Sequence, residues 1–400
     1  MNTTTHSPVS HARVDLADVL RGVAVMGIIL LHSIEHFNFY SFPDTSSQGA
    51  FLNFTDRAIW DGLFFLLGGK AYAIFALLFG FSFFIQHDNS RMRGEDFRAR
   101  FAWRLLLLFI IGNINACFFT AEILVMYSLI GFVLIATCRL STRTLIILAS
   151  VFLLQPAAIY NVVRACLDPA YVTPAIPTGD YWAACFKMQS GGTFLETVKV
   201  NLVDGQLASL AWAWDHGRIF QTAGLFIIGM VAGREGWLLK TARKMWGPIL
   251  AVSVIAFFPL HGLDMMLPKF IDNPNIMKPL AIIISSLANL SFMAILVAGI
   301  YFGFYCTKRV SHTLSLLIPY GRMSMTNYVT QSIMGSFIFY NWGLGLHAHL
   351  GITASVGVGF LLFIIQYSAC RWWMGHHSHG PMEWLWKKAT WIDRAGFLKR

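Results

Sequence analysis

The stretch Asp15-Leu-Ala-Asp18-Val-Leu-Arg21-Gly22-Val-Ala-Val-Met-Gly27-Ile-Ile-Leu-Leu-His32-Ser-Ile-Glu35-His36 decides the class of fold. From Val19 to Glu35 its residues are mostly apolar, enough for a helix to approach the ~30 Å depth of a hydrocarbon core. No signal-peptide core precedes it and no clear small-residue cleavage site follows, so it reads as a retained membrane helix. Similar runs recur over Gly62 to Gln86, Leu105 to Phe118, Ile123 to Cys138, Thr144 to Val162, Ile219 to Ala232, Pro248 to His261, Leu280 to Tyr305, Leu314 to Tyr340 and Ile352 to Ala369. Of the 400 residues, 56% are hydrophobic and 12% charged, where a soluble domain carries about 25% charged residues. An ordinary soluble enzyme is excluded. The spacing predicts an all-α, polytopic integral-membrane bundle of about ten transmembrane helices, one domain over residues 1–400, with the lipid bilayer as its surroundings.

The formal charge of +10 is distributed in short clusters between apolar runs and not on one face, so no nucleic-acid partner is expected. With the N-terminus (residues 1–18) inside, the cytoplasmic loops carry Arg91, Arg93, Arg98 and Arg100; Arg139 and Arg143; Arg234, Lys240, Arg243 and Lys244; and Lys308 and Arg309. This obeys the positive-inside rule, and it puts the tail 371–400 inside too, with Lys387, Lys388, Arg394, Lys399 and Arg400 and the interfacial tryptophans Trp372, Trp373, Trp384 and Trp386. The opposite side receives the loop Asn38 to Asp56 and the segment 164–216, in which Thr193 to Leu210 reads as an amphipathic surface helix. Four of the six cysteines lie in or beside apolar runs; Cys166 and Cys185 flank a polar loop, and a disulfide between them is left open.

Charged side chains inside such runs cost about 2.5–3.5 kcal/mol each on insertion scales, so each needs a reason. Arg21 falls near the inner end of the first helix and His32 about 16 Å further along. A neutral imidazole there can take a proton from an alcohol or amine, with Glu35 or another carboxylate orienting it; a structural histidine bonded to a neighbouring helix is the plainer reading. His32-Ser-Ile-Glu35-His36 also fits the short inverzincin pattern, but five residues are weak grounds, no third ligand is specified, and no metal is expected. His376-His377-Ser378-His379 reads as a polar surface turn. Asp61 opens the second helix with Lys70 about 14 Å further in, and Glu122 opens the fourth. Asp61, His32, Glu35, His36 and Glu122 should gather in the outer half, with Arg21 and Arg91 to Arg104 in the inner half. Arg322, Asn327 and Gln331 interrupt another apolar run and must face protein or water.

These residues carry a resemblance. Through Leu20-Arg21-Gly22-Val-Ala24 with Gly27, Lys70 to Gly80, Glu122-Ile-Leu before Tyr127, Gly321-Arg322-Met-Ser-Met-Thr-Asn327-Tyr328 with Gln331-Ser332, and Gly380-Pro381-Met-Glu383-Trp384-Leu-Trp386, most of the chain resembles the YeiB-like family of bacterial inner-membrane proteins. That family is similar to the bacterial sugar O-acyltransferases and to the lysosomal heparan-alpha-glucosaminide N-acetyltransferase. The resemblance implies an acetyl-CoA or other acyl-CoA donor read from the cytoplasm and acyl transfer to a hydroxyl or amine of a glycan on the far side. The O-acyltransferase pattern of Arg, ten residues and His is present as Arg21 and His32. The chain departs from the usual YeiB-like residues at His32, where Asn is common, and at Glu122, where Asp is. The expected roles are catalytic for His32, Glu35 and Glu122, and donor binding for Arg21, Lys70, Arg100, Arg104, Arg322 and Asn327. The rivals are a proton-coupled small-molecule transporter, disfavoured by the lack of an evident inverted repeat, and a non-catalytic scaffold. A homodimer is left open.

Overall fold

The computed structural model describes residues 14–40 and 48–392, and these are helical with no strand among them. The first thirteen residues, the middle of the loop Asn38 to Asp56, and Arg394, Lys399 and Arg400 of the tail lie outside the described residues. In chain order the helices are α1 (Asp15–Ile34), α2 (Ala50–Leu67), α3 (Lys70–Met92), α4 (Arg98–Ala116), α5 (Ile123–Ile130), α6 (Phe132–Thr137), α7 (Thr142–Leu153) and α8 (Pro156–Leu167). They continue with α9 (Thr178–Gly191), α10 (Phe194–Val200), α11 (Gln206–Asp215), α12 (Arg218–Arg234), α13 (Arg243–Phe270), α14 (Pro274–Cys306), α15 (Lys308–Ser315), α16 (Ile318–Arg322), α17 (Ser324–Phe339), α18 (Ile352–His376) and α19 (Pro381–Thr390).

Among the described residues six helical segments can cross a membrane by length and composition, or seven if the pair α7 and α8, bent by 50°, counts as one. The chain is a helical membrane protein. The bend has a local cause: Gln155 takes a positive φ of 61° and Pro156 opens α8, where its missing N–H costs nothing. The other three expected runs are built of shorter pieces, namely α5 with α6, the 17-residue α12, and α15 to α17. The expected run Gly62 to Gln86 is corrected as well. Helix begins earlier, at Ala50, and breaks at Gly68–Gly69, where Gly69 has φ 72° and the Arg218 guanidinium stands 3.0 Å from where a Cβ would be.

Burial ranks the helices by depth. In α1, 78% of the apolar window is buried, against 11% in α13 and 22% in α14. An outward apolar face of this kind, with Val252, Ile255 and Phe258 exposed, is what lipid solvates. Helix α1 is the axis, packed by α2, α3, α16, α17 and α18. Two of the motif glycines explain one of these contacts. A Cβ on Gly321 would lie 1.8 Å from the Asp18 carbonyl oxygen, and one on Gly22 would lie 2.9 Å from that of Leu317, so the Arg21-Gly22 and Gly321-Arg322 motifs are the two sides of one backbone crossing. Helices α3 and α12 cross the same way at Gly80 and Gly229.

The tail is fastened to this bundle. Arg100 donates to the Thr390 carbonyl (2.8 Å), Arg104 to Thr390 Oγ1 (3.1 Å), and the Arg104 guanidinium lies 3.9 Å from the Trp386 ring centroid. Glu383 Oε1 accepts from the Met325 and Thr326 amides (2.8 and 3.1 Å), taking up free donors at the start of α17. Replacing Glu383 with Ala strands those donors and is expected to cost about 1–3 kcal/mol. Earlier proteolytic release of the tail than in wild type, at unchanged helix content, would check this. In the loop before α4, the Arg98 side chain and backbone N–H hold the Asp96 carboxyl well below the usual carboxylate range. This exposed contact therefore persists at neutral pH and is lost only as pH falls through that depressed value.

Candidate functional site

Helix α1 does not stop cleanly after Ile34. Phe37 N–H donates to the His32 carbonyl (2.9 Å) and Tyr40 N–H to that of Glu35 (2.8 Å), a wide turn that ends with Phe39 and Tyr40 at φ 53° and 52°. The turn stacks His36 beside His32, with ring centroids 5.5 Å apart. Glu35 Oε1 lies 3.0 Å from His36 Nδ1, so the carboxylate expected to orient His32 pairs with His36 instead. One ligand-capable atom from each of His32, Glu35 and His36 falls within 4.8 Å of the others. His32 is 9% exposed, its ring centroid is 4.6 Å from that of Phe119, and its Nδ1 is buried without a hydrogen-bond partner among the described residues.

These three residues line a cavity of about 340 Å³. Its other walls come from Gly68 and Gly69 at the helix break, Ala121 and Ile123 before and in α5, and Trp182, Ser209, Trp212 and Arg218. The last four come from α9, α11 and the first residue of α12. The segment 164–216 is thus largely helical. Phe194 to Asp215 forms one helical run with a π turn at Asn201–Gly205, and its Thr197, Asn201 and Gly205 are buried. Gln189 and Asn201 bond to each other (2.9 Å), and both bond to Thr120, which precedes α5. The segment is thereby tied down over His36, with Trp182 5.5 Å from its ring.

Arg218 is the cavity residue that sequence reasoning missed. It donates to Gln221 Oε1 (2.6 Å), lies 5.6 and 5.7 Å from the Tyr72 and Trp212 ring centroids, and has no carboxylate in ion-pair contact among the described residues. Its Nε is buried without a partner. A guanidinium so placed presents unsatisfied donors to an anion in the cavity.

The other expected residues divide by location. Glu122 is buried, but its carboxylate accepts from Asn115 Nδ2 and from the Leu124 amide, capping α5, and is not on the cavity wall. Lys70 and Asp61 face a second cavity. Arg21 pairs with Asp18 (2.7 Å) and donates to Ser82 Oγ (2.6 Å), eleven residues before His32 on α1. Arg100 and Arg104 hold the tail. Arg322 donates to the Ser378 carbonyl (3.1 Å), and Asn327 donates to that of Tyr320 (2.9 Å) and accepts from Cys370 Sγ (3.2 Å). None of these five (Arg21, Arg100, Arg104, Arg322 and Asn327) lines the His32 cavity. Cys166 is exposed, Cys185 is fully buried, and both are free thiols. The His376 to His379 stretch is a surface turn, with His377 stacked on Trp373 at 4.0 Å.

The apolar helices that surround this histidine-lined cavity are those of a multi-pass membrane protein. Residues 232–393 match the family model described as a protein of unknown function, DUF418. The chain is 26% identical to the uncharacterized protein YxaH of Bacillus subtilis (98% of this chain, 97% of that one) and 26% identical to the uncharacterized protein YeiB of Escherichia coli K12 (93% and 95%). It is 22% identical to an uncharacterized 39.9 kDa protein of Bacillus acidopullulyticus, over 94% of each. No solved structure matches. The chain is thus similar to YeiB and YxaH over nearly its whole length, in keeping with the YeiB-like resemblance its motifs carry.

Proposed function

We propose that this protein transfers an acyl group, acetyl first among them, from coenzyme A to a hydroxyl or amine of a glycan, with His32 as general base. The observation that carries the reading is His32 itself, a buried imidazole whose Nδ1 has no partner among the described residues, on the wall of a cavity. In the reaction His32 takes the proton of the acceptor O–H or N–H as that oxygen or nitrogen attacks the thioester carbonyl. The new C–O or C–N bond forms, the C–S bond breaks, and the departing thiolate takes the proton from His32. Exclusion of water by Phe119, Trp182 and Trp212 protects the thioester from hydrolysis. Arg218 anchors an anionic group of one substrate, and Arg21, whose side chain is 22% exposed, meets the donor's phosphates at the opposite end of α1.

This reading takes the chain as ten spans in a bacterial inner membrane with both ends in the cytoplasm, the three short helical groups completing the count. Incubating purified protein with radiolabelled acetyl-CoA and a panel of glycans is expected to yield acetylated acceptor in step with free coenzyme A. Neither product over a broad panel, from protein that is folded, sinks the proposal. One observation favours a transporter as second reading: the helix break at Gly68–Gly69 lies between two cavities, a common arrangement at transport sites. Substrate counterflow in proteoliposomes without coenzyme A release would support that reading.

A further inference from the structure

The second cavity is separate from the His32 site and its chemistry is different. It has a volume of about 700 Å³ and lies between the end of α2, the start of α3, and the facing stretches of α13 and α14. Lys70 lines it and is 8% exposed. An ammonium has three N–H donors. Here they find one carbonyl, that of Phe64 at 3.5 Å, and the rings of Phe65 and Phe292 with centroids 5.9 and 5.5 Å away. No carboxylate is in ion-pair contact with Lys70 among the described residues. A buried cation left this way is a site for an anion.

The cavity is not simply basic. Asp61 and Asp264 line it too, with His261, Ser285 and Asn289. A bare anion placed against Lys70 would face those carboxylates, and a bare cation placed against them would face Lys70. A ligand that carries both charges a few ångströms apart satisfies the two sides at once. Met265, which lines the cavity, is exposed on α13, and so are Phe258 and Met266 on the same helix, whose apolar window is only 11% buried. An amphiphile can therefore lay its chains along α13 while its head turns inward.

We propose that this cavity holds the headgroup of a phospholipid bearing a phosphate and a primary ammonium, with the phosphate on Lys70 and the ammonium between Asp61 and Asp264. The inference does not depend on acyl transfer. The test uses the full chain in detergent, mixed with micelles containing phosphatidylethanolamine, phosphatidylglycerol or phosphatidylcholine, or with soluble glycerophosphoethanolamine, and reads the melting temperature. The ethanolamine lipid is expected to raise it more than the other two lipids or the soluble head. That excess should vanish in Lys70→Gln, survive in Lys70→Arg, and vanish in Asp264→Asn. Equal shifts from the three lipids, or an excess retained in Lys70→Gln, overturn the proposal. A full shift from the soluble head alone overturns the lipid as source. Should Lys70→Gln fail to fold, Asp264→Asn decides: an ethanolamine preference that persists there overturns the site.

Discussion

Replacing His32 with alanine is expected to lower acyl transfer by about 10²–10⁴-fold, the usual contribution of a positioned general base. The protein should remain folded, because the ring borders an existing cavity and makes no side-chain hydrogen bond among the described residues whose loss would strand a partner. His32→Gln adds the needed control: it keeps a polar side chain of similar reach and lacks the base. Acetyl incorporation is measured beside the size-exclusion profile and acetyl-CoA binding. Loss of transfer in both variants with intact profile and binding supports His32 as base. Loss of the folded peak in both would make the histidine a packing residue between Phe37 and Phe119. Arg218→Ala should separate from these, weakening substrate binding, since Arg218 stands across the cavity as a charge and not as a proton acceptor.

The parts of the site visible in the sequence are those on a single helix. Arg21, His32, Glu35 and His36 follow from spacing along α1, and the structure brings the last three together as that spacing predicts. What the spacing could not supply was contact across the chain. Arg100 and Arg104 look like a basic cluster awaiting phosphates until Thr390 and Trp386, more than 280 residues away, are seen against them. Trp182 and Trp212 lie in a segment too polar to span, and its polar residues are the ones that tie it down: Gln189 and Asn201 bond to Thr120. Arg218 did leave a trace. It opens the apolar run Ile219 to Ala232 with no acid within two positions, preceded by Gly217 at φ 65°. Both arginines have an aspartate three residues earlier, Asp18 and Asp215, but only Arg21 is seen paired with its own. Lys70 and Asp61 were expected on one continuous helix. The two glycines between them break that helix, and Gly69 and Lys70 turn to different cavities.

Substituting Gly321 with alanine is expected to be among the most damaging single-methyl changes in the chain, with those at Gly80 and Gly229. The added Cβ would sit 1.8 Å from the Asp18 carbonyl oxygen and 2.8 Å from the Gly22 nitrogen, both backbone atoms with no rotamer to yield. Relief requires α16 to move off α1. Overpacking of this kind costs about 1–3 kcal/mol even where side chains can shift, and more where they cannot. The displacement also reaches the Asp18–Arg21 pair (2.7 Å) on the next turn. Gly357→Ala on α18 is the matched control, because nothing lies within 4 Å of its added Cβ and a helical Gly→Ala change is favourable by roughly 0.5–1 kcal/mol when space is free. Melting temperatures in detergent should fall for Gly321→Ala and hold or rise for Gly357→Ala; equal behaviour would remove the glycine crossing as the reason the two motifs meet. Helix α1 carries His32 at one end and this crossing near the other. A Gly321→Ala protein that still folds should therefore lose transfer activity in proportion to how far α1 is displaced. Partial rescue by Gly22 variants would not be expected, because a Cβ added at Gly22 would itself lie 2.9 Å from the Leu317 carbonyl oxygen on the same partner.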